Sequence, residues 1–414
     1  QFGQAIGSYG ALRSAIGRVD HVTKQWVPEE PDPEKIFSAL EPHDRGAILV
    51  AAVFDAFLAI YRSRIRDLIR IATSGSGILP AGDIHPDLVG RLAEEASKTA
   101  RHVLQICIRA LDYCPPVDID FGDYLRALIT ADQNAVADDR HNYRLAFIEA
   151  FRRRGIFPRD IRNLSVESLI WHVPTNEEQE IFIKIFGGPS GLRDLMTEWD
   201  RTADRKAVSD RLAESRETLH TWFMESALRE EAGKAAHLLL TDGEGSAGRN
   251  PDDTCLDPKG IYRNPKTGIP LLEVHSVRLA HRIGPDNLSV PDLVIEMTQR
   301  RRGYINPAIQ EEVDSGKRTQ PPDPDFMMRG GCTLLVDPTT ARVRYCIYKD
   351  IASKTRLVRT RQYLMEDQQS SLHNAFLGNS GLDYFRRLMG REGASLNDDG
   401  PFALLHRSAV PEEV

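Results

Sequence analysis

Two hydrophobic rhythms run along the chain, and one gives way to the other near residue 240. Up to about residue 160 the apolar positions recur at helical spacing. Gly46 to about Ala72 reads as one long helix. Asp44 near its start complements the positive end of the helix dipole, and Ser74-Gly75-Ser76-Gly77 stops it. The first half, "AILVAAVFDAF", is hydrophobic almost all round, which predicts a central core helix. The second half, "YRSRIRDLIRI", turns amphipathic and basic. Pro86 to Tyr113 reads as a second long helix, ended by Pro115-Pro116. Phe121, Leu125, Leu128 and Ile129 mark one face of a third. Leu145, Ile148 and Phe151 mark one face of a fourth, which Gly155 and Pro158 close. This block is expected to be all-α.

After a junction near Arg159 to Trp171 the helical pattern continues to about Leu240, in "EEQEIFIKIF" and "SRETLHTWFMESALREEAGKAAHLLL". "TDGEGSAGRNPDDTCLDPKG" is a loop by composition. From Ile269 to Leu364 the apolar runs become short and β-rich: "PLLEVHSVRLAHRI", "DLVIEMTQ", "GCTLLVD" and "RVRYCIYKDI". "DPTTARV" offers a hairpin turn between the last two. "SGKRTQPPDPD" interrupts this region as an exposed insertion, and the end from about Gln368 reads as helix with a polar tail. The expected class is α+β: an all-α bundle over residues 1–160, a helical connector over 161–240, and a smaller antiparallel β-rich domain with a helical end over 241–414. No internal repeat is present.

Composition narrows the partners. A hydrophobic share of 41% and a charged share of 27% are those of an ordinary globular chain. The net charge of −7 gives no footprint for nucleic acid, and Arg152-Arg153-Arg154 and Arg300-Arg301-Arg302 read as solvated faces or helix ends. Five cysteines without a CxxC pair argue against a disulfide framework or a zinc finger. Cys107, Cys114, Cys332 and Cys346 lie among apolar residues and read as small core hydrophobes, which favours a reducing, cytoplasmic setting. The longest nearly apolar run, Ala47 to Ile60, is interrupted by Asp55 and falls short of the ~20 residues of a membrane span, so no membrane partner is expected. No signal peptide is visible. Because the chain begins without Met, removal of an upstream segment is the expectation.

Several chemical motifs fail on their context. Gly243-Glu244-Gly245-Ser246-Ala247-Gly248 matches GxGxxG, yet it runs into Arg-Asn-Pro-Asp-Asp instead of opening a helix after a strand. There is no P-loop and no GxSxG elbow. No two of the 12 histidines are four residues apart, which excludes an HExxH zinc helix from this chain. Glu273, His275, His281, Asp292 and Glu296 fall on two predicted neighbouring strands and invite a metal or nuclease-like reading. Such nuclease sites want a lysine two residues after the glutamate, where this chain has Thr298. Alternating polar residues on a half-solvated sheet explain the pattern equally well.

Three stretches taken in order resemble the C-terminal α-helical subdomain of thermolysin-like zinc metallopeptidases, the gluzincins. They are "GALRSAIG" (10–17), "PHDRGAILVAAVFDAF" (42–57), and "FGDYLRALITAD" (121–132) followed by "RLAFIEAFRRRGI" (144–156). The family has an Leu-Arg-Ser segment, then a histidine before a long apolar helix. It closes with an aromatic-led helix containing Arg-Ala and an Ala-Phe helix ending in Gly plus an aliphatic residue. The resemblance covers roughly residues 1–160 and rests on the order of these stretches.

What the resemblance implies is a pair of site residues. His43 matches the histidine that hydrogen-bonds the oxyanion formed at the scissile carbonyl, and Arg13 the arginine that holds a substrate carbonyl nearby. Glu41 and Asp44 are the candidate acids to orient the His43 ring. The glycine that follows His43 comes one residue earlier than in the family, and Ser38 stands where the family's orienting acid is expected. The family's zinc ligands and catalytic glutamate would precede Gln1, so zinc is expected only with that upstream segment, and no metal ligand is assigned in this chain. The expected partners are a peptide or protein substrate and the upstream zinc-binding lobe of the same protein. The alternatives are a degenerate peptidase scaffold that serves as a protein-binding or regulatory module, and a C-terminal half with chemistry of its own built on the strand acids.

Overall fold

The computed structural model describes residues 17–20, 22–39, 42–79, 81–136, 138–196, 204–241, 258–283 and 289–365. They divide into two compact units. The first takes the described residues up to Leu111 together with Asp120–Ile170. The second takes Asp112–Ile119 together with the described residues from Trp171 onward. The class is α+β, with a four-stranded antiparallel sheet following the helices.

The first unit opens with a small ribbon that the hydrophobic pattern does not mark: β1 (Gly17–Val19) pairs antiparallel with β2 (Trp26–Pro28). A single turn, α1 (Lys35–Ser38), leads to α2 (Pro42–Ala72), the long apolar helix. α2 buries Ile48, Ala52, Ala56 and Ile60, one residue per turn, with Ala51 beside them. The small side chains let neighbouring helices approach closely. Beyond Ala72 the chain turns at Ser74 and Gly75, both at positive φ, and the Gly75 N–H donates to the Arg70 carbonyl at 2.8 Å.

α3 (Pro86–Ala110) follows, with His85 as its N-cap and proline in the first turn. It is fastened to α2 by Arg64–Glu95 at 2.8 Å and by the Tyr61 hydroxyl donating to the Leu92 carbonyl. α4 (Phe121–Ala135) begins with a capping box between Asp120 and Asp123, and the Tyr124 hydroxyl donates to the Cys107 carbonyl of α3 at 2.9 Å. α5 (Tyr143–Arg152) returns along α2. Its buried face is Arg144, Phe147, Ile148 and Phe151, whereas Leu145 is 60% exposed. The face predicted from Leu145, Ile148 and Phe151 is therefore rotated. Phe147 lies at i−4 from Phe151 and takes the inward place that Leu145 was expected to fill. The unit ends with the short helix α6 (Val166–Leu169), to which the Arg126 guanidinium reaches back through the Leu169 carbonyl at 3.1 Å.

The second unit places helices on one face of the sheet. α7 (Asn176–Ile185), α8 (Gly188–Met196), α9 (Arg205–Glu225) and α10 (Arg229–Ala236) precede the strands. The strands are β3 (Glu273–Ile283), β4 (Ser289–Gly303), β5 (Phe326–Asp337) and β6 (Arg342–Lys349), hydrogen-bonded in that order. Leu293, Ile295 and Met297 on β4 stand opposite Val336, Leu334 and Cys332 on β5, and all six face Phe182, Phe186, Leu219 and Phe223 of the helices. The hairpin expected at "DPTTARV" closes through Asp337, whose carbonyl accepts from the Ala341 N–H at 2.8 Å. β6 is an edge strand, and the Gln179 side chain covers part of that edge. It donates to the Val343 carbonyl at 2.6 Å and accepts from the Val343 N–H at 3.0 Å.

Two helices lie inside the stretch that reads as β-rich. α11 (Pro307–Asp314) starts on an Asn306 cap with Pro307 at its first position. α12 (Lys354–Met365) starts at Ser353, whose hydroxyl oxygen accepts from the Arg356 N–H at 3.1 Å, and it buries Leu357. The last β-rich run in the sequence ends at Ile351, just before the Ser353 cap, so the helix begins where the strand pattern stops.

Candidate functional site

His43 falls in the first turn of α2, with Asp44 exposed beside it. The His43 side chain lies outside the described residues, as do Arg13 and Glu41 altogether. What the structure gives is the mounting of this turn. The Arg45 guanidinium donates to the Ala39 carbonyl at 2.7 Å, which ties the helix start to the chain leading into it. One full turn deeper than Ala51, Asp55 forms a largely buried ion pair with Arg154, at the end of α5. An Asp within so apolar a helix is costly unless paired, and Arg154 is the pair. Asp55, which breaks the apolar run in the sequence, is thus the residue that locks α2 to α5.

The helix spans Pro42–Ala72, the length its apolar spacing predicts. Over Asp44–Ala72 the helix is long and apolar enough to cross a membrane, by length and composition alone. The helix extends far beyond the apolar run Ala47 to Ile60 because Ile65, Leu68 and Ile69 continue its inner face between arginines. Its ion pairs with Arg154 and Glu95 tie it to the other helices of the unit, and it buries one face only, Val50 and Phe54 each staying 37% exposed.

The closing helices carry a second buried pair. Arg144 Nε donates to Asp132 Oδ2 at 2.8 Å, joining α5 to α4. Burial pushes the Asp132 carboxyl up to about 6, against the pull of Arg144 and with a further push from Asp139. At the far end of α5, Gly155 takes φ +71° and the Ile156 N–H returns to the Phe151 carbonyl at 3.1 Å. This is the Gly-plus-aliphatic ending quoted from the sequence, and its cause is a left-handed helix stop. Gly122, in the aromatic-led helix, meets the Pro158 Cα at 2.5 Å from where a Cβ would stand.

The strand acids are committed to arginines. Asp292 accepts from Arg344 at 2.9 Å, and Arg344 also reaches Asp337 at 2.8 Å. Glu296 accepts from Arg278 at 2.6 Å, and Arg278 also reaches Asp112 at 2.8 Å. The register places Glu273 opposite Thr298 but His281 opposite Pro291, at opposite ends of the same hairpin. The side chains of Glu273 and His275 are mostly exposed and 3.9 Å apart. Among the described residues no three His, Cys, Asp or Glu converge to hold a metal. The GxGxxG stretch, 243–248, lies outside the described residues.

One cluster escaped the sequence reading. His172 Nε2 lies 3.0 Å from Glu178 Oε2, the His172 and His237 rings meet edge to face at 5.3 Å, and His237 stacks on Tyr348 at 3.4 Å. The only local signal is the capping box in "PTNEE", where Glu178 bonds back to the Thr175 N–H. The ring stack joins residues more than 60 positions apart, which no local pattern encodes. No protein-family model, curated protein or solved structure matches the chain.

Proposed function

We propose that the helical unit is the C-terminal portion of a thermolysin-like zinc endopeptidase, supplying groups that bind substrate and steady the transition state. The observation that supports it best is the mounting of His43. The helix in whose first turn His43 falls is clamped by Asp55–Arg154, the kind of rigid support that an oxyanion donor needs. In this reading the His43 ring N–H donates to the oxygen of the attacked peptide carbonyl as negative charge develops there. Arg13 holds a neighbouring substrate carbonyl with its planar fork. Asp44, and Glu41 if it turns toward the ring, favour one tautomer. Among the described residues no three His, Cys, Asp or Glu converge to hold a zinc ion. In this reading the zinc ligands, HExxH and a further glutamate, belong to a lobe upstream of Gln1, as the family resemblance implies.

The test has two steps. The coding sequence upstream of Gln1 is read for those ligands, and their absence removes the enzyme reading. Where they are present, the protein carrying that lobe is assayed on a peptide substrate with zinc content measured in parallel. His43→Ala lowers turnover by ~100- to 1000-fold with zinc content unchanged, the cost of removing one oxyanion donor. Equal turnover in both proteins takes His43 out of the mechanism.

A second reading, a degenerate scaffold that binds another protein, is favoured by a separate observation. Leu104 and Ile108 of α3 and Leu111 at its C-cap are apolar and each more than half exposed, at i, i+4 and i+7 spacing. If the upstream region lacks zinc ligands, these residues are the surface to mutate in a pull-down of the partner.

A further inference from the structure

A cleft of about 370 Å³ opens in the second unit where α9 crosses the start of β3. Arg216 and His220 of α9 line one side of it, and Glu273, Thr298 and Arg300 of the sheet line the other. Arg216 is anchored over the strand by a hydrogen bond from Nη1 to the His275 carbonyl, 3.4 Å long. Arg300 is held differently. Its ion pair with Glu273 spans 4.0 Å, beyond hydrogen-bond reach, and among the described residues its guanidinium donates no hydrogen bond.

Thr298 is 6% exposed and lines the same cleft, and among the described residues its hydroxyl makes no hydrogen bond. The hydroxyl is not among the buried polar atoms that lack a partner, so it opens to the cleft and can donate there. The strand register adds a like-charge contact. Arg300 stands directly opposite Arg329 on β5, and like charges at opposed positions of an antiparallel pair destabilise it. Burial, and then the charge of Arg300, hold the Arg329 guanidinium below its ordinary range, against the opposite pull of Glu273 and Asp118.

We propose that this cleft binds a small oxyanion, a carboxylate or a phosphoryl group, between Arg216 and Arg300, with the Thr298 hydroxyl as a further donor. An oxyanion accepts from both guanidiniums through charge-assisted bonds, accepts from the Thr298 hydroxyl, and offsets the repulsion between Arg300 and Arg329. Glu273 is its internal competitor: its loose contact with Arg300 occupies the place the ligand takes. Glu217 on the rim adds a second negative charge, so the site suits a single oxyanion better than a polyanion such as nucleic acid.

The full chain is titrated calorimetrically at constant ionic strength, with inorganic phosphate in one series and acetate in the other. Saturable binding of either supports the site, and the probe that binds names the source. Arg300→Gln and Arg216→Gln each weaken that binding about tenfold or more, the worth of a hydrogen bond to a charged group. Thr298→Val weakens it about threefold, and Arg318→Gln, an exposed arginine paired with Glu312, leaves it unchanged. Circular dichroism checks each variant; should Arg300→Gln fail to fold, Arg216→Gln on the surface of α9 and Thr298→Val decide. No saturable heat with either probe overturns the proposal, as does affinity unchanged in Arg216→Gln and Thr298→Val.

Discussion

At Gly155 a Cβ would stand 2.2 Å from the Pro33 carbonyl oxygen, on a backbone already at φ +71°. Two penalties therefore fall on any side chain there, the left-handed conformation and the clash with backbone that has little room to retreat. Gly155→Ala is expected to destabilise the helical unit by about 1–3 kcal/mol, measured as a shift of its urea midpoint with an unchanged slope. Asp132 makes a different residue-scale prediction. Its folded-state pKa of about 6 lies above the ordinary aspartate range, so between those values the folded protein binds more protons than the unfolded chain. Its contribution to stability is complete below about pH 4 and is lost as pH rises through about 6. Compared with Asp132→Asn, the wild type should gain stability from pH 7 to pH 4.5, and parallel curves would place the proton uptake elsewhere. Of these residues Gly155 was legible in the sequence as a helix stop. Asp132 was not, because its partner Arg144 and its burial depend on how two helices pack.

At the scale of elements, local signals served where one element carried its own caps and period. α2, α3 and α4 follow from apolar spacing, prolines and capping residues in their own sequence, as do the four strands. α11 has a legible start in Asn306-Pro307, but its eight residues are too few to show a helical period between β-rich runs. What holds α11 in place is not local. Arg301 of β4, 1% exposed, donates Nη2 to Asp314 Oδ2 at 2.6 Å and Nη1 to the Ile351 carbonyl at 3.1 Å. Gln310 also donates to Asp314, at 2.9 Å. One guanidinium therefore joins a strand, a helix and the turn into α12. Arg301→Met leaves a buried carboxylate without its cation and is expected to cost about 3–5 kcal/mol, and a second change, Asp314→Leu, should restore much of it. Denaturant titration of both variants measures the difference, and a double variant no more stable than the single one would count against charge burial as the cause.

Across the whole molecule, the change of hydrophobic rhythm near residue 240 and the division into units mark different things. The rhythm records where helices stop and strands start. The second unit begins earlier, at Trp171, because α7, α9 and α10 supply the apolar layer that one face of the sheet needs. It also takes in Asp112–Ile119, far upstream in sequence. That segment is stitched to the unit by Asp112–Arg278 at 2.8 Å, the Thr333 hydroxyl donating to the Cys114 carbonyl at 3.0 Å, and Asp118–Arg356 at 2.7 Å. Tyr113 adds a ring contact with Tyr345 at 5.9 Å. In sequence the same eight residues read as a helix end and a proline stop, and partners more than 160 positions away leave no trace in local pattern. A fragment of residues 171–414 lacks this strip and leaves Thr333, Arg278 and Arg356 without those partners. It should melt below the corresponding transition of the full chain, bind more of a dye that reports apolar surface, and recover part of the loss when a peptide of residues 112–119 is added. Calorimetry of fragment, fragment with peptide, and full chain compares the three; equal melting temperatures would mean that the strip covers the sheet without stabilising it.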